Sequence, residues 1–429
     1  MIRSPEILAK PDDAFALAKL GYQQELKRNF SKLEILSVAF SILGLLPSIA
    51  SSLVFAIPAG PVGMVWGWFI ASGFTFLVSV AMADLGSAMP TAGGLYWWTH
   101  YFSAPGWKNP LAFLVGYSNT LGVISGLCST DYGFALMFLS VVHLAVGDGK
   151  DFAPTSGTVY LVFIVCVLSH ATVVTFASKI MAKLQVMFMV ANVLLIAVTL
   201  IVLPVGKRNT NSAEWIFTHS ENLSGWPAIW TFFLAWMCPI WSVGGFEACI
   251  HLSEEAQNAT MAVPWGIMGS CGLSWILGTV IMIVFASSLF SLIAPAAASA
   301  LFSIGVVGNH LAWFMPIFAR IVWGRDKFIP GPFYTGGLSI PIAVVACIFL
   351  IFSILTAWMP IDGPNVTPQN MNYAIVVNFA VWGGALLYYY VDARKWFTGP
   401  RITLDSSHSQ LTEEQEEKIA KEALVDLRH

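Results

Sequence analysis

Charged residues are scarce in this 429-residue sequence. They make up 10% of it, against roughly 25% in a typical soluble domain. Hydrophobic residues account for 57%, and the mean hydropathy is +0.72. So few charges cannot cover the surface of a soluble protein of this length, and no basic patch for nucleic acid stands out. The composition predicts a polytopic membrane protein that is embedded in the lipid bilayer. We expect no nucleic acid among its partners.

The motifs of catalytic and metal centres are missing as well. The sequence contains no CxxC pair, no HExxH zinc motif, no GxxxxGK[ST] phosphate loop and no GxSxG nucleophile elbow. An ATP-driven pump or a membrane enzyme therefore has no support, and we expect no cofactor, metal or catalytic residue. The six cysteines lie inside apolar runs, where we expect no disulfides: Cys128, Cys166, Cys238, Cys249, Cys271 and Cys347.

Long apolar runs are what the sequence does contain. Ten are long enough to cross a bilayer, which takes about 20 residues, and they indicate an all-α membrane domain. They are 34–57, 62–84, 111–145, 157–177, 182–204, 228–250, 266–293, 298–322, 339–360 and 372–391. The polar segments 1–33 and 392–429 are interpreted as cytosolic tails around a membrane domain at 34–391, and the first lacks the apolar core of a signal peptide.

The basic residues predict the orientation. With the N-terminus inside, 18 of the 21 Lys and Arg residues fall on the cytoplasmic side, and only Lys150, Lys207 and Arg208 fall outside. This asymmetry predicts both termini in the cytoplasm. Asn222 and Ser224 then form a possible glycosylation sequon in an outer loop.

The sixth run contains a pattern that is typical of a broken helix. Pro239 removes a backbone donor, and the pair Gly244 and Gly245 lowers helix stability. Broken backbone at membrane depth is tolerated where protein or a watery cavity satisfies it. Glu247 follows directly, and an ionisable group within an apolar run indicates function. The alternative is a proline kink with a glutamate at a helix end.

The first run looks breakable too. Gly44, Pro47, Ser48 and Ser51 lie at its centre. A half-helix that starts near Ser48 would present free N–H groups and a positive dipole end, which suit a carboxylate. The alternative is a kinked packing helix. Two broken spans in corresponding positions indicate the inverted repeats of a transporter.

Asp131 is the acid deep in the third run, where an unpaired charge is costly. It can pair with a substrate amine, carry a coupling proton, or hydrogen-bond Ser129 and nearby backbone. These alternatives stay open at this point.

Other residues favour packing. We expect Gly116, Gly122 and Gly126 to permit close helix contact and Asn192 to join helices. The histidines show no metal-ligand spacing and are interpreted as packing residues: His143, His170, His251 and His310.

Six motifs resemble the amino acid–polyamine–organocation superfamily, specifically the fungal amino-acid/choline permeases that include GABA-specific permeases. The resemblance runs from Asp13 to Leu404. The motifs are LGYQQELKRNFSKLE, FSILGLLPSIASS, MADLGSAMPTAGGLYWWTHY, PIWSVGGFEACIHLSEEAQNATMAVPWGI, ALFSIGVVGNHLAWFMPIFARIVWG and KFIPGPFYTGGLSIPIA.

The resemblance implies a five-plus-five inverted-repeat bundle that carries an amino acid, GABA or a choline-like amine together with protons. It places an aromatic gate at Trp241 and proton coupling at Glu247. Certain bacterial relatives keep a lysine in span five, where this sequence has Asn192. The implied substrate residues, with Asp131 added from the reasoning above, are Leu46, Pro47, Ser48, Ile49, Ala50, Ser51, Trp241, Ser242, Val243, Gly244 and Gly245.

One departure from the family is large. The family has twelve spans, and here the segment after Ser287 passes directly into what resembles the end of span nine. The eighth span and most of the ninth are therefore missing. We expect a proton-coupled transporter of a plasma or vacuolar membrane; the alternative is a truncated, non-transporting or nutrient-sensing relative. Without the eighth span, the wall around Asn119, Ser125 and Asp131 should open, unless 266–293 shifts to fill the gap.

Overall fold

The computed structural model describes residues 17–18, 20–146, 154–207, 210–288, 299–367 and 371–400, without the side chains of 177–183 and 299–300. Fourteen α-helices follow one another in these ranges. They are α1 Lys32–Leu43, α2 Leu45–Ser52, α3 Gly60–Ala88, α4 Gly94–Phe102, α5 Lys108–Ala145, α6 Ser156–Gly206, α7 Ala213–Thr218, α8 Ala228–Ala235, α9 Met237–Ser242, α10 Ala248–His251, α11 Ala259–Ser288, α12 Ser299–Val322, α13 Ser339–Ala357 and α14 Ala374–Val391. No strand is assigned in the same ranges, which confirms the all-α fold.

Each of the ten predicted crossings contains a helix within the described residues. Nine segments of the described chain are long and apolar enough to span a membrane, and the shorter apolar stretch Ala228–Ser242 is the sixth crossing. One predicted boundary is wrong, because 178–181, between the predicted crossings 157–177 and 182–204, lies inside the 51-residue helix α6 instead of in a loop. The run of apolar helix-forming residues continues through Lys179 and Lys183, and two lysines do not stop a helix. The C-terminal surface helix expected after Asp405 lies outside the described residues.

The first crossing begins and breaks where local chemistry requires it. The Ser31 hydroxyl accepts the N–H of Glu34, and the Glu34 carboxylate accepts the N–H of Ser31 at 2.8 Å. This capping box fixes the start of α1. Gly44 ends the helix with φ 47° and ψ 54°, a left-handed conformation that glycine adopts without steric cost.

The helices α3 and α11 form the centre of the bundle, where small residues accept large rings. A Cβ at Gly278 would meet the Trp68 ring at 2.1 Å, and a Cβ at Gly73 would meet the Trp275 ring at 3.1 Å. Trp68 is fully buried as a result. Because α11 packs along α3 and α1, it does not shift toward α5 to fill the gap left by the missing spans.

Two of the three predicted packing glycines bring α5 and α12 together. A Cβ at Gly308 would lie 2.7 Å from the backbone nitrogen of Gly122, and a Cβ at Gly305 would lie 3.4 Å from that of Gly126. The prediction is therefore confirmed for Gly122 and Gly126. It is wrong for Gly116, which has open space around its Cα.

A buried ionic cluster closes the bundle on the predicted cytoplasmic face, where α3 ends. The Asp84 carboxylate accepts the backbone N–H of Thr335 at 3.0 Å and its hydroxyl at 2.7 Å. Arg320 of α12 lies 3.7 Å from the same carboxylate, and its guanidinium stacks 3.6 Å from the ring of Phe328. Asp84 thus ties together α3, α12 and the segment that leads into α13.

The segment before α1 is held on the same face. The buried Arg28 guanidinium donates to the carbonyls of Ser253 at 3.1 Å and Ala256 at 2.6 Å. Phe30 and Gln257 complete the attachment through a short parallel bridge, with Gln257 N–H to Phe30 carbonyl at 2.8 Å. The chain entering the first broken crossing is therefore joined to the chain leaving the second.

Candidate functional site

The first crossing breaks at Gly44, four residues before the predicted position. α2 starts at Leu45, so the predicted residues Leu46 to Ser51 are helical. No side chain caps this helix start, and Pro47 has no N–H to offer. The backbone N–H groups of Leu45 and Leu46 are therefore the donors at this break. The break lies at Gly44 because this residue takes the left-handed conformation, which glycine adopts without steric cost.

The second break lies between α9 and α10, as predicted. Residues 243–247 leave the helix after Ser242, and Gly245 takes φ 99°. Glu247 follows at the start of α10 and is 5% exposed. Pro239 itself stays inside α9, so the two glycines and not the proline end the helix.

The two broken crossings touch beside their breaks. The Ser52 hydroxyl of α2 lies 3.2 Å from the Ser242 hydroxyl and 3.3 Å from the Cys238 sulfur of α9. All three side chains are buried. The two broken helices therefore pair directly with each other.

A cavity of about 370 Å³ lies between the breaks. Among the predicted site residues, Ser48, Trp241, Gly244, Gly245 and Glu247 line it. The other lining residues come from α1, α5, α9 and α12: Ile42, Leu43, Gly122, Val123, Gly126, Leu127, Thr130, Ile240, Val306, Asn309, His310 and Trp313. Its volume is in the range of small-molecule sites.

Two acceptor atoms at the cavity lack partners among the described residues. Oε2 of Glu247 and Oδ1 of Asn309 are buried without a hydrogen-bond donor. The Glu247 carboxylate otherwise faces the backbone N–H groups of Gly245 and of Glu247 itself. A ligand that donates N–H groups would satisfy both acceptors, and unsatisfied buried acceptors are costly.

Trp241 forms one wall of the cavity. Its ring meets the ring of Phe302 edge-on, with the centroids 4.6 Å apart. It also rests against the glycine crossing, since a Cβ at Gly305 would lie 3.1 Å from the indole. Gly126 of α5 and Gly305 of α12 thus leave the space that the Trp241 ring occupies.

Several predicted site residues do not reach the cavity lining. Leu46 and Ile49 are buried in the core, Ser242 bonds to Ser52, and Pro47 and Ala50 are exposed outside the cavity lining. Successive helical residues point about 100° apart, so a helix that turns Ser48 toward the cavity turns its neighbours away. Ser51 donates to the Ser48 carbonyl at 3.0 Å, and Val243 packs in the core.

Asp131 also lies away from the cavity. Its Oδ1 is 3.0 Å from Nδ1 of His170 in α6, while the neighbouring Thr130 faces the cavity. Asp131 is 3% exposed, and its Oδ2 has no partner among the described residues. The partner is thus a histidine that we had interpreted as a packing residue.

Some cavity residues escaped the prediction. Asn309 and His310 stand side by side within an apolar run, which is the same signal that singled out Glu247. The buried His310 is hydrogen-bonded through Nδ1 to the Ser353 hydroxyl, which agrees with its interpretation as a satisfied histidine. Asn192, expected to join helices, donates to the Phe188 carbonyl of its own helix at 3.0 Å.

The cavity wall is open on one side, but not at the predicted residues. Val123 is 55% and Leu127 53% exposed where they line the cavity, whereas Ser125 and Asp131 are buried. The reason is that α12 covers one face of α5 at the glycine crossing and His170 covers Asp131. Among the described residues, the face that carries Val123 and Leu127 stays largely uncovered.

The comparisons with known proteins agree with this geometry. A family model described as amino acid permease matches residues 33–289 and 285–381. The chain belongs to the amino acid permease family. This family is consistent with the amino acid–polyamine–organocation superfamily that the motifs resemble. Its members are transporters and not enzymes. The two matches meet at the point where the sequence indicated missing spans.

Named permeases match along almost the whole chain. The GABA-specific permease of Saccharomyces cerevisiae is 35% identical, over 92% of this chain and 86% of its own length. An uncharacterized amino-acid permease of Schizosaccharomyces pombe is 27% identical over 95% of this chain and 90% of its own length. The amino-acid permease BAT1 of Arabidopsis thaliana is 23% identical over 90% of this chain and 95% of its own length.

The length of the match with the yeast permease also indicates how many residues this chain lacks relative to that permease. It extends over 495 positions, yet 92% of a 429-residue chain fills only about 395 of them. About 100 positions of the relative therefore have no counterpart here. That length suffices for two crossings and a connecting loop, at about 20 residues per crossing.

Proposed function

We propose that this permease carries an amino acid or small amine such as GABA across a plasma or vacuolar membrane, with both termini in the cytoplasm and with protons as the coupling ion. The observation that supports this most directly is the cavity between the two breaks, where Glu247 presents a buried oxygen without a partner. An amino acid brings an ammonium group for this acceptor and for Asn309. Its carboxylate suits the N–H groups at the start of α2.

We infer that Glu247 carries the coupling proton. A buried carboxylate is stable in an apolar setting when it is paired or protonated. Substrate and solvent reach Glu247 through the cavity that it lines. Opening the cavity would therefore change the proton affinity of this group.

The test is uptake of labelled GABA, and in parallel of labelled choline, into proteoliposomes with an imposed pH gradient. An acidic exterior should drive GABA uptake by the wild-type chain. Glu247→Gln should make uptake independent of the gradient, while the control Glu214→Gln, which alters an exposed residue of the short helix α7, should leave the dependence intact. Unchanged gradient dependence in Glu247→Gln would remove this residue from coupling.

A second candidate is a chain that binds its substrate without carrying it, as a truncated isoform or nutrient sensor. The observation in its favour is the exposed wall at Val123 and Leu127, beside the cavity. Saturable GABA binding to the purified chain, without accumulation in proteoliposomes, would support this candidate over transport. Choline binding in place of GABA would change the substrate class in either case.

A further inference from the structure

A second cavity, of about 450 Å³, lies apart from the central one on the predicted cytoplasmic face. It is formed where four segments meet: the stretch before α1, the stretch into α4, the loop after α10, and residues 396–399. Its chemistry comes from Tyr22, Thr91, Tyr96, Glu254 and Trp396. The transport chemistry proposed above uses none of these residues.

Thr91 provides the first sign of an absent ligand. The residue is 1% exposed, and its hydroxyl oxygen is buried without a hydrogen-bond partner among the described residues. Its backbone is held in place, with the N–H donating to the Met89 carbonyl at 2.9 Å. A hydroxyl that is buried, fixed and unpartnered at a cavity wall is costly unless a ligand bonds to it.

Glu254 supplies the charge. Its carboxylate is the only charged side chain among the described residues that line this cavity. It is oriented by the backbone N–H of Ala92, which donates to Oε1 at 3.0 Å. The Gln24 side chain additionally reaches the Glu254 carbonyl at 3.4 Å. One fixed carboxylate in an aromatic setting attracts a cation and repels an anion.

The aromatic residues complete the surroundings. Tyr22, Tyr96 and Trp396 all line the cavity, and the faces of such rings attract organic cations. Burial raises the pKa of Tyr22 to about 12 and also raises the pKa of Tyr96. Both phenols therefore stay neutral in the cell and do not add negative charge. The Trp396 N–H is already used by Asp392 at 3.2 Å, which leaves the indole ring for contact.

We propose that this cavity is a binding site for an organic ammonium group, held by Glu254 and Thr91 and surrounded by Tyr22, Tyr96 and Trp396. The ammonium N–H groups would donate to the carboxylate and to the Thr91 hydroxyl, while the rings contact the apolar part. A bare metal ion fits poorly, because hard cations require six or more oxygen ligands.

Two sources can supply this group. One is a free amine of the cytoplasm. The other is a lysine of the chain itself, since residues 401–429 follow the lining segment 396–399 directly and include Lys418 and Lys421. Both sources present the same chemistry to Glu254 and Thr91.

The test is calorimetric titration of the full-length chain in nanodiscs with propylammonium, and with neutral propanol for comparison. The Trp241→Ala background is chosen because we expect it to weaken binding in the central cavity, and each variant of the second site is compared with this background. Glu254→Gln and Thr91→Val, two changes that conserve shape, should each lower propylammonium affinity by about tenfold or more, a change of about 1.4 kcal/mol. Glu255→Gln, the adjacent carboxylate outside the cavity lining, is the matched control and should bind normally.

The outcomes separate the sources and decide the proposal. If Lys418→Gln combined with Lys421→Gln raises the affinity for propylammonium, a lysine of the chain occupies the site; if the affinity is unchanged, the ligand is a free amine. Glu254→Asp, which keeps the charge, should retain more affinity than Glu254→Gln. The site is wrongly assigned if propanol binds as tightly as propylammonium, or if neither Glu254→Gln nor Thr91→Val weakens binding.

Discussion

Trp241, at the end of α9 just before the second break, contacts two other helices of the bundle. Its ring contacts Phe302 of α12 and lies close to Gly126 of α5. It is only partly buried, because one side of the indole faces the cavity. A side chain that packs on one side and faces a cavity on the other can cover a ligand without being needed for folding.

Replacing this ring should therefore affect binding more than stability. We expect Trp241→Ala to weaken GABA binding by about tenfold or more, since aromatic contacts contribute about 0.5–1.5 kcal/mol beyond the area they bury. Calorimetry on the purified chain measures the effect. Trp265→Ala, which removes a ring that is 56% exposed on α11, is the control. Equal affinity in both variants, with normal thermal stability, would place Trp241 outside the site.

Single residues show what the sequence can and cannot predict about the site. Because an unpaired buried charge is costly, the sequence alone predicts that Asp131 and Glu247 either have partners or take part in function. The partner of Asp131 is His170, which lies 39 positions away, and no local pattern connects them. Likewise, the sequence marks Asn309 as unusual, but only the crossing of α5 and α12 brings it to the cavity.

Among the elements, the crossing of α5 and α12 depends on the absence of side chains. A Cβ at Gly308 would lie 2.7 Å from the Gly122 nitrogen and 2.9 Å from the Ser118 carbonyl oxygen. Both atoms belong to backbone, which cannot rotate away as a flexible side chain can. The helices would have to separate to accept even a methyl group.

We expect Gly308→Ala to destabilise the protein by about 1–3 kcal/mol, the usual cost of overpacking. Gly116→Ala is a matched control on α5, because open space surrounds that glycine. Thermal melting of the detergent-solubilised variants, followed by size-exclusion chromatography, compares the two. A Gly308→Ala melting curve that matches that of Gly116→Ala would show that the crossing has room to spare.

The attachment of the segment before α1 leads to a prediction about access. Arg28→Ala removes the donors to Ser253 and Ala256, and this segment should then separate from the loop after α10. A cysteine at Ser48 in the cavity should react faster with a water-soluble thiol reagent in this variant than in the Arg28 parent. Glu25→Ala, an exposed change in the same segment, is the control and should leave the rate at its parent value. Equal rates in all three proteins would mean that Arg28 does not restrict access.

The elements were predictable to the extent that hydrophobic runs define them. Ten runs predicted ten crossings, each of which contains a helix within the described residues, and the glycine and proline positions predicted that two of them are broken. The position of the first break did not follow, because Pro47 is tolerated in the first turn of a helix. Gly44 alone takes the left-handed conformation that separates α1 from α2. The continuity of α6 was equally hidden, since two lysines between apolar runs look like a loop.

For the whole molecule, the missing crossings leave the cavity with an incomplete wall. Val123 and Leu127 are about half exposed at the cavity within the part of the chain that the structure describes. In a membrane, this side of α5 faces lipid. A cavity that lipid can reach loses the exclusion of competing apolar molecules that a transport site requires.

This opening can be measured by labelling from the bilayer. In a background with Cys128→Ser and Cys166→Ser, a cysteine at Val123 should react readily with a lipid-soluble maleimide. A cysteine at Ser118, which is buried against Gly308, should react slowly. If both positions are equally protected in nanodiscs, another polypeptide covers the wall, and cross-linking at Val123 would then reveal whether it is a second copy of this chain.

The contact of Ser52 with Ser242 and Cys238 limits how many parts of the molecule can move independently. It joins α2 to α9, and we expect these two half-helices to move together. On the other side, Phe30 and Gln257 join the chain before α1 to the chain after α10. Gly44 and Gly245 both have positive φ, and we expect the backbone to bend at these two breaks. Motion there would tilt α2 and α9 together against the rest of the bundle and change access to the cavity between the breaks.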